Sequence, residues 1–242
     1  MISVCIATHN GEKYIKEQLD SILCQLSTED EVVISDDGST DKTIDVILSL
    51  RDSRIQLYQY HQTAKGKVSH YYVCKNFEKA LKQAKGDYIF LADQDDFWMP
   101  NKVEKCLAAL KTHTLVVHRA EICDGELNPT GRLMYKDEFV FKNYLALKRG
   151  KYYGCTIAFR KELLKWILPF PSELILHDQW IGCMAELKGS VFYEPTPLIK
   201  NRLHGDNTSG GPSSNTIFFK IWYRLYMFVH LIIRSKLHYT QT

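Results

Sequence analysis

A chain of 242 residues, 45% hydrophobic and 24% charged, has room for one large or two small domains with an ample core. Its net charge of +3 is too small to argue for a nucleic-acid partner, although it leaves a local basic patch open. Seven scattered cysteines, with no CxxC pair and no metal-type spacing, read as buried free thiols of a reducing compartment. Met1 leads directly into an apolar run without a basic segment, which argues against a signal peptide and makes the cytoplasm the default.

The first hundred residues alternate strand and helix. Residues 2–7 form a short apolar strand that stops at the polar turn Thr8-His9-Asn10-Gly11. From Glu12 the positions Ile15, Leu19, Ile22, Leu23 and Leu26 keep helical spacing. A second strand over 31–35 ends in Asp36-Asp37-Gly38-Ser39-Thr40-Asp41, where Gly38 permits a tight turn and Ser39, Thr40 or Asp41 can cap the next helix. A third strand covers 55–60, followed by a polar, basic loop over 61–70 that contains Lys65, Gly66 and Lys67. Residues 76–85 are helical by spacing, closed by Gly86, and a fourth strand follows over 88–92. This order predicts a mostly parallel sheet with helices on its faces.

The fourth strand runs into Asp93-Gln94-Asp95-Asp96-Phe97-Trp98, three carboxylates within four positions. Crowded carboxylates repel and desolvate poorly, so a cation is the natural stabiliser, and hard oxygen ligands suit Mg²⁺ or Mn²⁺. Three polar clusters (Thr8-His9-Asn10, Asp36-Asp37 and 93–96) thus end three strands, and in such a sheet they converge on the edge where open α/β folds bind ligands. Polar strand ends are ordinary; three that carry this many acids are less so.

Beyond Pro100 the pattern predicts a helix over 101–112, a short strand over 115–118 and a turn at Asn128-Pro129-Thr130-Gly131. Weak helical spacing over 139–147, a strand over 152–159 and a short helix over 161–168 come next. His177-Asp178-Gln179-Trp180 opens a helix to Leu187, then two strands cover 191–194 and 198–203 before a polar loop over 204–214.

Taken in order, the turn at Thr8-His9-Asn10, the Val32–Asp41 stretch and Asp93-Gln94-Asp95-Asp96-Phe97-Trp98 closely resemble the family 2 inverting glycosyltransferases of GT-A fold. The last motif, with Gly154-Cys155-Thr156, His177-Asp178 and Arg202-Leu203-His204-Gly205-Asp206-Asn207, is most similar to the rhamnosyltransferase-like branch. The resemblance covers roughly residues 1–210. It implies a GT-A-type α/β domain over 1–214, with a mostly parallel central sheet and helices on both faces; the residues beyond it, 215–242, read by their own spacing as a C-terminal amphipathic helix.

The resemblance also implies roles. Ala7, Thr8, His9 and Asn10 would line the nucleotide, with Gln94 beside them and Asp37, or else Asp36, accepting from the base's imide N–H. Asp93 would hold ribose or sugar hydroxyls and Asp95 the Mg²⁺ or Mn²⁺ ion, with His204 as an additional metal or diphosphate ligand. Asp96 would support the turn. Lys67 would assist the phosphates, unless it is a solvated surface lysine. Asp178 matches the catalytic base rather than a simple helix cap, and the loop over 205–211 a lid. Trp98 and Trp180 are acceptor-site candidates, against the alternative that both are core. The implied partners are a nucleotide-diphosphate sugar, dTDP-rhamnose or a UDP-hexose, and a glycan or lipid-linked acceptor of bacterial surface polysaccharide synthesis.

Two rival readings predict other residues. A nucleotidyltransferase would carry a Gly-rich basic loop after the first strand, which Thr8-His9-Asn10-Gly11-Glu12 lacks, and a non-catalytic sugar-binding relative would have lost Asp95 or Asp178. The tail over 217–238 is apolar, aromatic and basic; Lys220, Arg224 and His230 interrupt it too often for a spanning helix. An interfacial helix on an anionic bilayer, at the inner face of the plasma membrane, and a helix docked on the domain or on a dimer partner both fit.

Overall fold

The structure, a computed structural model, describes residues 1–60, 68–135, 152–205 and 216–236. The N-terminal half runs β1 (Ile2–Thr8), α1 (Ile15–Leu23), β2 (Glu31–Asp36), α2 (Thr43–Ser49), β3 (Ile55–Gln59), α3 (Ser69–Gln83) and β4 (Tyr88–Ala92). The remainder comprises β5 (Phe97–Trp98), α4 (Lys102–Leu110), β6 (Leu115–Cys123), β7 (Pro129–Met134), β8 (Ile157–Arg160), α5 (Leu164–Ile167), α6 (His177–Lys188), β9 (Val191–Arg202) and α7 (Ile217–Lys236). One nine-stranded sheet has the order β3-β2-β1-β4-β8-β6-β9-β5, with β7 added to β6. Strands β3, β2, β1 and β4 are parallel; β8 and β5 then insert antiparallel beside the parallel pair β6 and β9.

Successive strand residues point to opposite faces, and the two faces bury different helices. Cys5, Val33, Ile89 and Leu91 join Phe77 and Leu81 of α3, Trp180 and Ile181 of α6, and Tyr223 and Met227 of α7. Val4, Ile6, Val32, Ile34 and Phe90 join Ile15, Leu19 and Ile22 of α1, Ile47 of α2 and Cys106 of α4. Each such aliphatic or aromatic side chain, fully buried, contributes roughly 1.5–3 kcal/mol.

Gly86 lets the chain enter β4 hard against β1. A Cβ there would lie 2.6 Å from the Ser3 backbone nitrogen and 2.7 Å from the Ile2 carbonyl carbon, atoms fixed in the sheet. Gly86→Ala should therefore destabilise the fold by about 1–3 kcal/mol, measured by urea denaturation; an unchanged midpoint would refute that contact.

Several elements differ from the sequence reading. Helix α3 begins at Ser69, seven residues before the expected start. The turn expected at 128–131 is the start of β7, and the reversal lies at 124–128 instead. There Asp124 Oδ1 accepts from the Glu126 and Asn128 amides, both at 2.9 Å, and Leu127 takes φ 62°. Proline lacks a donor, which suits the first residue of an edge strand. The strand over 115–118 continues to Cys123, and 191–194 with 198–203 form one strand through Pro195 and Pro197, with shifted register against β6. Residues 154–156 form a 3₁₀ turn before β8. Six cysteines are buried and Cys24 is exposed, so the expectation of buried thiols is corrected at that position. The helix expected over 139–147, the loop over 206–214 and the proposed boundary at 214 lie outside the described residues.

Candidate active site

The ends of three strands meet as the alternation predicts. Thr8 is level with Asp36, and Ile6 with Ala92, so the turn after β1 lies between 36–37 and 93–96. Buried Asp36 holds the turn: its carboxylate accepts from the Thr8 hydroxyl and the Ser39 amide, both at 2.9 Å. Partly buried Asp37 follows, and its carbonyl lies 3.0 Å from His9 Nδ1. Asn10 Oδ1 accepts from the Thr40 amide at 2.8 Å, while the Gln94 amide brackets His9, accepting from its N–H at 3.0 Å and donating to its carbonyl at 3.2 Å. Ala7 pairs with Ser35 just inside the edge.

The acidic segment after β4 is tied down from both sides. Gln18 of α1 donates to the Asp93 carbonyl at 2.8 Å. From β9, Asn201 Nδ2 and the Arg202 amide donate to Asp96 Oδ1 at 2.9 and 3.2 Å, while Arg202 Nε donates to the Asp95 carbonyl at 2.9 Å. The Arg202 guanidinium also pairs with Glu17. His204 Nε2 lies 2.9 Å from Asp95 Oδ2, both side chains being mostly covered.

Burial dominates the electrostatics. Asp93 is pushed up to about 7 by burial, then by repulsion from Asp95. Asp96 is raised well above the carboxylate range by burial, then by Asp93 and Asp95. Beneath them Lys102 is fully buried, its Nζ donating to the Cys155 carbonyl at 3.1 Å and lying 4.1 Å over the Trp98 ring. Burial draws that amine down to about 8.

Two donor sets could hold a cation. Ligand atoms of Asp93, Asp96 and Cys155 lie within 4.8 Å of one another. Burial raises the Cys155 thiol far above its usual value, which keeps it protonated, and a hard cation prefers oxygen. Asp95 and His204 fit better. They offer a hard oxygen and an imidazole nitrogen side by side, joined now by a hydrogen bond of 2.9 Å that a bound ion would replace. The residues present therefore suit a divalent cation.

Asp178 stands on another element, in the first turn of α6. Burial pushes it up to about 7, Asp93 adding a smaller push, and its Oδ1 accepts from the neighbouring Gln179 amide at 2.7 Å. His177 stacks on Phe77 at 4.3 Å, and burial holds its imidazole down at about 3, hence neutral. A Cβ at Gly154 would come within 3.0 Å of His177 Nε2, so the small residue admits the ring.

Residues 3–168 match the family model described as Glycosyl transferase family 2, more than half of the chain. The chain belongs to glycosyl transferase family 2. An uncharacterized glycosyltransferase of Haemophilus influenzae is 31% identical to this family 2 enzyme over 201 residues, covering 80% of this chain and 75% of that one. The dTDP-rhamnosyl transferase RfbG of Shigella flexneri is 27% identical, with 90% and 77% covered. Among solved structures, residues 1–349 of S. aureus TarS in complex with UDP-GlcNAc superimpose with a TM-score of 0.73 at 23% identity, covering 98% of this chain and 68% of TarS 1–349; that likeness shows the GT-A fold. The relatives are longer than this glycosyltransferase, which spans from 66% to 75% of the first two.

The sequence reading of this family 2 enzyme needs one correction and several additions. Trp98 and Trp180 are 1% and 0% exposed, so neither reaches an acceptor. Trp98 closes the core beneath the acids, and Trp180 Nε1 donates to the Ile167 carbonyl at 2.9 Å. Lys67 lies outside the described residues. Sequence reasoning missed Gln18, Asn76, Lys102 and Asn201. Asn76 Nδ2 donates to the Thr8 carbonyl at 3.1 Å, yet in sequence it is an ordinary polar residue of a helix. Lys102 reads as a solvated first-turn lysine, and no local signal distinguishes it.

Proposed function

We propose that this chain is a metal-dependent inverting glycosyltransferase that moves a sugar from a nucleotide-diphosphate donor, dTDP-rhamnose or a UDP-hexose, to a hydroxyl of a glycan or lipid-linked acceptor in bacterial surface polysaccharide synthesis. The observation that carries this reading is a division of labour among carboxylates. Asp95 is paired with His204 at the end of β4, while Asp178, on α6, is poised near neutrality.

In this reading the nucleotide lies across the strand ends, along Ala7, Thr8, His9, Asn10 and Gln94. Asp36 is occupied within its turn, which favours Asp37 as acceptor for the base's imide N–H. Asp93 takes ribose or sugar hydroxyls. Mg²⁺ or Mn²⁺ held by Asp95 and His204 would neutralise charge developing on the departing diphosphate. Asp178 takes the proton of the acceptor hydroxyl as the new C–O bond forms opposite the leaving group, and one displacement inverts the anomeric carbon. The names of RfbG and TarS support a nucleotide sugar as donor class.

A thermal-shift screen with Mn²⁺ and a panel of UDP-, dTDP- and GDP-sugars tests the reading. One nucleotide class should raise Tm only when Mn²⁺ is present, by the equivalent of about 2.7 kcal/mol at a hundredfold excess over Kd. No shift with any member would overturn it.

Among the described residues no helix is long and apolar enough to cross a membrane. Helix α7 is nevertheless two-faced. Tyr223, Met227 and Leu231 are buried on the domain, while Phe218 (86% exposed), Leu225 (61%) and Ile221 (58%) head an outward apolar face that also holds Trp222, Phe228 and Ile232. The helix has no acidic residue, and Arg224 and Lys236 are exposed on it. An anionic lipid surface complements that charge, whereas a second copy of the same basic face would repel it. Vesicles containing phosphatidylglycerol should sediment the chain, and Leu225→Glu should abolish most of that binding. A salt-insensitive dimer in solution, broken by Leu225→Glu, would assign the face to a second copy instead.

A further inference from the structure

Between α5 and α6 the chain has no helix or strand of its own. Buried backbone groups in such a stretch need partners from elsewhere, and α7 supplies them from successive turns. Arg234 donates to the Leu168 and Pro169 carbonyls at 2.7 and 2.8 Å. The Tyr226 hydroxyl accepts from the Glu173 amide at 3.0 Å. The Tyr223 hydroxyl accepts twice, from the Ile175 amide at 2.9 Å and the Leu176 amide at 3.1 Å. The partners run backward along the helix as the segment runs forward, so α7 lies antiparallel to the linker and holds it along its length.

The last of these contacts falls at the entry to α6. Leu176 occupies the cap position of that helix and no side chain caps it, so the usual device for fixing a first helical turn is missing. Asp178 lies two residues further on. Tyr223 is 5% exposed; burial raises its hydroxyl, and the Asp178 carboxylate is near enough to add a small upward push.

We propose that Tyr223 is a positioning residue for Asp178: by accepting from Ile175 and Leu176 together, it fixes the first turn of α6 and so the direction of the carboxylate. The inference rests on the reading of Asp178 as the base. It gives Tyr223 a part in placing the base in addition to its packing on the domain.

Tyr223→Phe removes the oxygen and keeps the ring in its packing. Tyr226→Phe removes the same atom from a contact five residues before Asp178 and serves as the control. With the full chain, Tyr223→Phe should lower kcat at least tenfold while donor KM stays within twofold, and should speed amide exchange at Ile175, Leu176 and the first turn of α6. Tyr226→Phe should speed exchange at Glu173 and leave kcat within twofold. Parental kcat in Tyr223→Phe, unchanged exchange at Ile175 and Leu176, or an equal loss of kcat in Tyr226→Phe would overturn the proposal. Failure of the underlying reading shows separately, as parental transfer by Asp178→Asn.

Discussion

Asp178→Asn should lower kcat by about 10²- to 10⁴-fold, the range that general-base assistance supplies, and leave nucleotide-sugar affinity within about twofold. The amide keeps the shape of the side chain and an oxygen to accept from the Gln179 amide, as Asp178 does at 2.7 Å. What disappears is the capacity to take a proton. The pH profile gives a second reading of the same group. Burial, with a smaller contribution from Asp93, pushes the carboxyl up to about 7. A base works when ionised, so kcat should rise with pH and reach half its plateau at or below about 7. A cation beside Asp93 and Asp95 relieves the repulsion between acids, which moves that limb to lower pH. Steady-state kinetics at saturating donor, with calorimetric donor binding, check both statements; normal turnover in Asp178→Asn would remove the base assignment.

Asp95→Ala should weaken metal-dependent donor binding by at least about 100-fold, the upper end of losses seen when even an outer-shell partner of a metal is removed. The substitution takes away one of two groups set 2.9 Å apart and leaves His204 without its carboxylate. Asp96 is held by Asn201 and the Arg202 amide, so the loop keeps its anchor in this variant. Mn²⁺ and donor titrations followed by calorimetry give the comparison. A variant that binds Mn²⁺ and nucleotide sugar as tightly as the parent would show that the ion sits elsewhere, with Asp93, Asp96 and Cys155 as the next set to test.

Much of the fold is legible locally. Buried strands β1, β2 and β4 are short apolar runs, and α1 keeps its 3.6-residue spacing, so both faces of the sheet could be drawn before any contact was known. The second half is harder to read. Pro129 and Gly131 resemble a turn but start and kink an edge strand, because the reversal is made by Asp124 upstream. Pro195 and Pro197 seem to split two strands, yet β9 continues past them by shifting register on β6.

The sequence by itself determined the strand–helix alternation, the three polar strand ends and the acid cluster at 93–96, because periodicity and composition carry those signals within a few residues. Only the tertiary structure decided what surrounds each acid. Asp36 and Asp37 are alike in sequence; the Thr8 hydroxyl and the Ser39 amide bind the first, which is buried, while the second is only partly buried. Trp98 reads as an acceptor-site candidate or as core and Lys102 carries no local signal, and the fold buries both. Helix α7 reads as one amphipathic stripe, while packing gives it an inner face that grips the approach to Asp178 and an outer face still apolar. The physical reason is the same in each case: burial and hydrogen-bond partners come from residues distant in the chain, and no local pattern encodes them.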